Sequence, residues 1–101
     1  MKSDQDNLDV LRAIHKKPKA SQREMAKYLG FSLGKLNYCL KALKSKGFVK
    51  MQNFKKQTNR LQYIQYVLTP NGISERTKLT LNFMKRKFKE YDELKKELES
   101  K

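Results

Sequence analysis

Residues 21–47, SQREMAKYLGFSLGKLNYCLKALKSKG, decide the fold of this chain because they carry the boundary signals of two consecutive helices. Ser21 is a good N-cap, and Glu24 three residues later completes a capping box. Gly30 can adopt the left-handed conformation that ends a helix, and Ser32 is a second N-cap just beyond it. The stretch therefore predicts a short helix, a tight turn and a second, longer helix.

Leucines spaced by three and four residues predict one apolar face on the second helix, which ends near Gly47. This leucine face comprises Leu33, Leu36, Leu40 and Leu43. The outward face carries Gly34, Tyr38, Lys41 and Ser45, with Lys35 and Asn37 at its edges and no acid. A capped helix, a short turn and a second helix with a basic outward face are typical of a helix-turn-helix, whose second helix enters the DNA major groove. A helical hairpin that only builds a small core is the alternative.

The charge balance favours a polyanionic partner. The chain has 24 Lys and Arg residues against 10 Asp and Glu residues, a formal net charge of +14, which suits nucleic acid or an anionic membrane. Between Glu24 and Glu75 there is no acidic residue, although several lysines lie there. Solvated surfaces usually mix both signs, so this central segment predicts a surface that meets phosphates. Chance in a lysine-rich chain is the alternative.

Several classes of function are disfavoured by what the sequence lacks. A single cysteine, Cys39, and a single histidine, His15, provide neither an internal disulfide nor a zinc-ligand set. We interpret Cys39 as a small core residue and His15 as structural. No signal peptide or membrane-length apolar run is present, which predicts a cytoplasmic protein without a membrane partner. No nucleophile, phosphate loop or cofactor motif indicates an enzyme, so we expect no catalytic activity and no cofactor.

Residues 4–16 predict the first of three helices in the N-terminal part of the chain. Leu8, Leu11 and Ile14 fall at helical spacing. The helix should end before Pro18, because proline disfavours helical conformation at the preceding residue.

After the three helices, the pattern changes to the alternation of a β-hairpin. Strands are predicted at 48–52 and 61–69, joined by the polar, basic tip 53–60, NFKKQTNR. In the second strand, alternation favours a core face formed by Ile64, Tyr66 and Leu68. This hairpin is the wing expected beside a DNA-binding helix.

The last segment predicts one long helix with an apolar stripe. Thr69 is a suitable N-cap and Pro70 suits the first helical position, and the helix should run for about thirty residues, with a bend possible at Thr77 to Thr80. A heptad-like stripe comprises Leu81, Met84, Phe88, Tyr91, Lys95 and Leu98. A coiled coil between two copies of the chain is the more specific interpretation of this stripe. Packing back on the chain's own domain is the alternative.

Two phrases resemble MarR-type transcriptional regulators. Together with the C-terminal stretch 77–99, TKLTLNFMKRKFKEYDELKKELE, they make the chain most similar to the small regulators of this type that are associated with exopolysaccharide gene clusters. Residues 36–49, LNYCLKALKSKGFV, are similar to the end of a recognition helix leading into a wing strand, and residues 68–72, LTPNG, resemble the family's LTxxG step. The resemblance implies an α+β, mainly helical fold: a winged helix-turn-helix of three helices plus a β-hairpin wing, followed by a long C-terminal dimerisation helix. It also implies a DNA-binding domain at 1–69 and a dimerisation helix at 70–101.

The resemblance further implies a homodimer on a pseudo-palindromic operator in double-stranded DNA. The candidate DNA-binding residues are Ser21, Ser32, Gly34, Lys35, Asn37, Tyr38 and Lys41, with Lys55, Lys56 and Arg60 in the wing. Larger members enclose an effector pocket beside a multi-helix dimer domain, whereas this chain has one long helix after the wing, so no small-molecule effector is expected. A winged-helix module that binds protein, with incidental charge, is the alternative function. RNA binding is disfavoured because no paired aromatic strands are evident.

Overall fold

The order of elements confirms the predicted fold class, which is mainly helical with a two-stranded hairpin and a long final helix. The computed structural model describes residues 4–55 and 62–100, with side chains for all of these except 53–55 and 62–64. The elements are α1 (Asp4–Lys16), α2 (Gln22–Leu29), α3 (Leu33–Ser45), β1 (Val49–Lys55), β2 (Gln62–Leu68) and α4 (Pro70–Glu99).

The boundaries of α2 and α3 are formed by the caps that the sequence predicts. Ser21 Oγ accepts from the backbone N–H of Glu24 at 3.1 Å, and the Ser21 N–H donates to Glu24 Oε1 at 2.8 Å. That N–H, together with the Ser21 side chain, lowers the pKa of Glu24 below its ordinary value. The capping-box hydrogen bond to the Glu24 carboxylate is therefore retained until the pH falls through this lowered pKa. Gly30 ends α2 with a φ of 73°, and Ser32 Oγ accepts from the Lys35 N–H at 3.0 Å.

The core lies where α1, α2 and α3 meet β1 and the first turns of α4. Its buried residues are Leu8, Val10, Leu11, Ala13, Ile14, Met25, Ala26, Leu36, Cys39, Leu40, Leu43, Val49 and Leu79. Cys39 is fully buried, as expected of a small core side chain. The assignment of Leu33 to the buried face is wrong, because its side chain is 39% exposed. At 100° per residue, Leu33 lies roughly 70° from the centre of the face that α3 buries.

The hairpin is longer than predicted. β1 and β2 pair in antiparallel register from Val49 opposite Leu68 to Lys55 opposite Gln62. Residues 53–55, assigned to the tip on the basis of their polar composition, belong to β1, because the backbone ladder continues past the end of the apolar alternation. Tyr66 and Leu68 pack against the core as predicted, whereas the Ile64 side chain lies outside the described residues.

Helix α4 begins at its predicted cap and continues without interruption for 30 residues. The hydroxyls of Thr77 and Thr80 donate to carbonyls one turn earlier, at 3.1 and 2.7 Å, and the helix continues through both positions. Only Gly72 and Leu79 of α4 are buried, so most of the helix projects from the domain. The molecule accordingly measures 66 × 27 × 25 Å along its principal axes. Among the described helices, none combines the length and apolar content needed to cross a lipid bilayer.

Candidate nucleic-acid interface

Helix α3 presents the polar and basic face that the sequence predicts. Its exposed positions include Gly34, Lys35, Tyr38, Lys41 and Ser45. Tyr38 is 62% exposed, whereas Asn37 at the edge of this face is half-buried. The opposite side of the same helix is held in the core by Leu36, Leu40 and Leu43, which fixes the rotation of α3 about its axis. Gly34, Tyr38 and Lys41 therefore share one solvent-facing surface on a firmly packed helix, with Lys35 and Asn37 at its two edges.

The two candidate serines serve first as helix caps. Ser21 and Ser32 are exposed, and each side-chain oxygen accepts a hydrogen bond from the backbone N–H three residues later. A serine hydroxyl that accepts in this way still has its own proton to donate. Each is therefore chemically able to donate to a phosphate oxygen while it caps its helix.

The outward side of α3 has an acidic neighbour that the sequence did not reveal. Lys35 Nζ lies 3.5 Å from Asp6 Oδ2 of α1 and 4.1 Å from the centre of the Phe31 ring. The segment between Glu24 and Glu75 has no acid of its own, but α1 places one beside Lys35. Asp6 stands 29 positions earlier in the chain, and only the packing of α1 against α3 brings it near. No local sequence signal could have predicted this pair.

This ion pair is too weak to immobilise Lys35. The side chains of Lys35 and Asp6 are 42% and 20% exposed, and surface pairs of this kind contribute about 0.2–1 kcal/mol. A phosphate or a guanine edge could therefore compete with Asp6 for the ammonium group.

The wing contributes cations whose positions are only partly described. Lys55 ends β1, and its side chain, like Lys56 and Arg60 as a whole, lies outside the described residues. Lys50 of β1 is exposed near the base of the hairpin. The predicted phosphate contacts of the wing tip therefore stay predictions.

Two further basic surfaces were not singled out from the sequence. A shallow depression at the α1–α2 connection includes Lys17, Lys19 and Lys27, and the ammonium group of Lys17 lies 4.8 Å from the centre of the Tyr28 ring. A groove between α1 and α4 is lined by Arg12, His15, Lys16, Arg76, Thr77, Thr80 and Leu81. Neither holds a metal-ligand set: no group of three His, Cys, Asp or Glu side chains suited to a metal occurs among the described residues.

The predicted dimerisation residues form an exposed stripe on α4. Between 46% and 75% of each apolar member is exposed: Leu81, Met84, Phe88, Tyr91 and Leu98. Lys95, in the same row, is exposed as well. Near the middle of the helix, Phe83 and Lys87 flank the stripe and deepen it into an apolar groove. The described part of the chain leaves this surface uncovered.

Comparison with known proteins points to the same architecture. Residues 7–50 match a family model described as winged helix-turn-helix DNA-binding, a span that covers α1, α2, α3 and the start of β1. No curated protein sequence is significantly similar to the chain.

Three solved structures illustrate the likeness. Staphylococcus aureus MarR, in complex with salicylate and kanamycin, is 19% identical with a TM-score of 0.66, over 87% of this chain and 57% of that one. The repressor CouR, bound to a 23-mer DNA duplex, is 22% identical with a TM-score of 0.66, over 86% and 59%. Streptococcus pneumoniae FabT, in complex with DNA, is 20% identical with a TM-score of 0.58, over 87% and 59%.

This chain thus spans less than two thirds of the length of each of these regulators. At this level of identity, the likeness shows a shared fold. The fold of the chain is a winged helix-turn-helix like that of MarR and its relatives, with α3 in the position of the second helix of the motif.

Proposed function

We propose that this chain is a non-catalytic regulator of transcription that binds specific sequences in duplex DNA as a homodimer on a pseudo-palindromic operator. The observation that carries the proposal is the exposed face of α3, which is small, polar and basic and is oriented by a buried opposite face. Such a helix fits the major groove, where base edges are read. The family model and the similar DNA-bound structures support the same role.

Each candidate residue has a distinct task in this proposal. The Asn37 amide suits adenine, and the ammonium groups of Lys35 and Lys41 suit guanine. Gly34 allows the helix backbone to approach the groove closely. The phosphate contacts are assigned to Ser21, Ser32, Lys55, Lys56 and Arg60. Residues 1–69 would bind DNA, and residues 70–101 would join the two copies.

A salt titration of duplex binding tests the proposal against a protein-interaction module. DNA binding through phosphates should weaken steeply as salt rises, with a logarithmic slope of roughly −0.9 for each phosphate contact, and should depend on sequence. Absence of duplex binding at moderate salt, after selection from a random duplex pool, would favour the protein-interaction alternative. The likeness to exopolysaccharide-associated regulators remains a prediction based on the LTPNG step and the C-terminal helix.

Replacing Tyr38 and Lys41 together by alanine should reduce specific binding far more than non-specific binding. Both side chains lie on the outward face of α3, and each lost base contact costs roughly 1–3 kcal/mol. Competition between the selected duplex and random duplex measures the ratio of the two affinities. Lys44→Ala is the matched control, because it removes an exposed lysine from the edge of the same helix. An unchanged ratio in the double variant would show that α3 does not read the bases.

Replacing Asp6 by asparagine should increase DNA affinity modestly. The substitution removes the carboxylate that competes for Lys35, and a surface pair of about 0.2–1 kcal/mol corresponds to a gain of roughly 1.4- to 5-fold. Asp4→Asn is the control, since it removes the same charge from the same helical turn. The gain should vanish in a Lys35→Met background. If Asp4→Asn gives an equal gain, general charge and not the Asp6–Lys35 pair is responsible.

A further inference from the structure

Helix α4 projects from its domain with an apolar surface that the described residues leave uncovered. Beyond Leu79 no side chain of α4 is buried, and Phe88 and Leu98 are 66% and 75% exposed. Burying large apolar side chains is favourable, so a stripe of several such residues favours a partner with a matching stripe. A second copy of the same helix provides one.

We propose that α4 pairs with α4 of a second copy in antiparallel orientation, with Leu81 opposite the partner's Leu98 and with Lys85 on the flank beside the partner's Asp92. This proposal rests on the dimer of the proposed function and adds its direction and register. It is carried by the pattern of charges beside the apolar stripe.

The apolar layers fit this register throughout the stripe. In an antiparallel pair centred between residues 89 and 90, the central layer places Phe88 against the partner's Tyr91. The next layer places Met84 against the partner's Lys95, whose alkyl stem can cover the methionine while its ammonium group reaches solvent. The outer layer joins two leucines, Leu81 and the partner's Leu98. Every layer thus buries apolar surface from both copies.

The charges on one flank of the stripe select the antiparallel direction. Four exposed residues lie seven apart along this flank: Lys78, Lys85, Asp92 and Glu99. In the stated register, Lys85 lies beside the partner's Asp92 and Lys78 beside the partner's Glu99, each pair two positions, about 3 Å along the axis, out of line. A lysine side chain is long enough to span that offset. Symmetry repeats both contacts, which gives four pairs of opposite charge per dimer. Within the described parts of the chain, these four side chains have no ion-pair partner within 4 Å.

A parallel pair would use the same residues less favourably. It would place Lys95 against the partner's Lys95 inside the stripe, where like charges repel. The flanking attraction would be limited to Lys87 with the partner's Asp92, and Lys87 already lies 3.5 Å from Glu90 of its own helix. The antiparallel direction avoids the repulsion and doubles the number of attractive pairs.

The antiparallel register also sets the separation of the two DNA-binding domains. Leu79, the last buried residue of α4, lies ten and a half positions from the centre of the pair. At 1.5 Å per residue, the two copies of Leu79 are separated by about 32 Å along the helix axis. This axial separation of the two domain ends is close to one turn of DNA, about 34 Å.

Disulfide mapping tests the direction directly. The variant Leu81→Cys with Leu98→Cys should form dimers on mild oxidation, with position 81 of one copy linked to position 98 of the other in the digested protein. Two copies of position 98 would lie about 26 Å apart in the proposed register, far beyond the roughly 7 Å limit for the Cα atoms of a disulfide. Links between like positions would therefore overturn the proposed direction. The unmodified chain, whose Cys39 is buried, is the control for background oxidation.

Charge exchange provides a second test that does not depend on cross-linking. Lys85→Glu should weaken the dimer about tenfold in sedimentation, because it creates two like-charge contacts, and adding Asp92→Lys should restore it. Lys89→Glu, the same change away from the flank, should have little effect. Failure of the double exchange to restore the dimer would reject the register. A monomeric unmodified chain at micromolar concentration would reject the proposed dimer itself, which is a separate outcome.

Discussion

Replacing Gly72 by alanine is expected to destabilise the fold by about 3 kcal/mol, at the upper end of the usual cost of overpacking. Gly72 is buried in the first turn of α4, and a Cβ atom placed on it would overlap the carbonyl oxygen of Phe48 and lie 2.9 Å from its carbonyl carbon. The obstacle is backbone, so it cannot rotate away as a side chain would. For a chain of this size, the loss corresponds to a decrease in melting temperature of roughly 12–24 °C.

The clash cannot be relieved by a small shift of α4, because both sides of the contact are tied together. The backbone N–H of Thr69 donates to Phe48 O at 3.1 Å, and its hydroxyl donates to Gly47 O at 2.6 Å. The same hydroxyl oxygen accepts from the Gly72 N–H at 3.0 Å. Moving the helix start together with Thr69 would stretch the two bonds to Gly47 and Phe48, and moving it without Thr69 would stretch the bond from Gly72.

Thermal unfolding followed by circular dichroism measures the effect, with Gly34→Ala as the matched control. A Cβ atom at Gly34 has no heavy atom within 4 Å, and alanine is up to about 1 kcal/mol more favourable than glycine in a helix. The two glycine-to-alanine changes should thus shift the melting temperature in opposite directions. Equal shifts would mean that the approach of α4 to Phe48 is not tight.

The contact between Phe48 and the start of α4 also shows which parts of the fold could be predicted from the sequence. The caps at Ser21, Ser32 and Thr69 were predictable because a capping hydroxyl acts on backbone only three residues away. Residues 68–72, LTPNG, were recognised because they resemble a family motif. Thr69 acts locally in this motif, as a helix cap, whereas Gly72 makes a tertiary contact with Phe48. The sequence could not show that Gly72 touches the Phe48 carbonyl, since that contact depends on where β1 lies.

The candidate site was predictable to a similar extent. Periodicity identified the outward face of α3 because helical geometry places Gly34, Tyr38 and Lys41 on one side whatever the helix packs against. The Asp6 partner of Lys35 was missed because ion pairs between distant helices leave no trace in periodicity. The extension of β1 to Lys55 was missed because Asn53 and Lys55 are polar and Phe54 is out of phase with Val49 and Met51, so the alternation used to predict strands ends before them.

Replacing Met84 and Phe88 together by aspartate is expected to convert the proposed dimer to monomers and abolish specific operator binding. Each copy would lose two side chains from the interface, four per dimer, and at roughly 1.5–3 kcal/mol each the loss is about 6–12 kcal/mol. Such a loss raises the dimer dissociation constant by at least about 10⁴-fold. A monomer can contact only one half-site, so the affinity contributed by the second half-site disappears.

Folding of the domain should survive this double substitution, which keeps the result interpretable. Met84 and Phe88 are 46% and 66% exposed, and neither belongs to the buried core. Sedimentation gives the oligomeric state, circular dichroism the helix content, and a duplex titration the operator affinity. Asn82→Asp with Lys89→Asp is the control, because it adds at least as much negative charge to α4 away from the stripe. A double variant of Met84 and Phe88 that remained dimeric, with α4 still helical, would remove this stripe from the interface and require the two copies to join elsewhere.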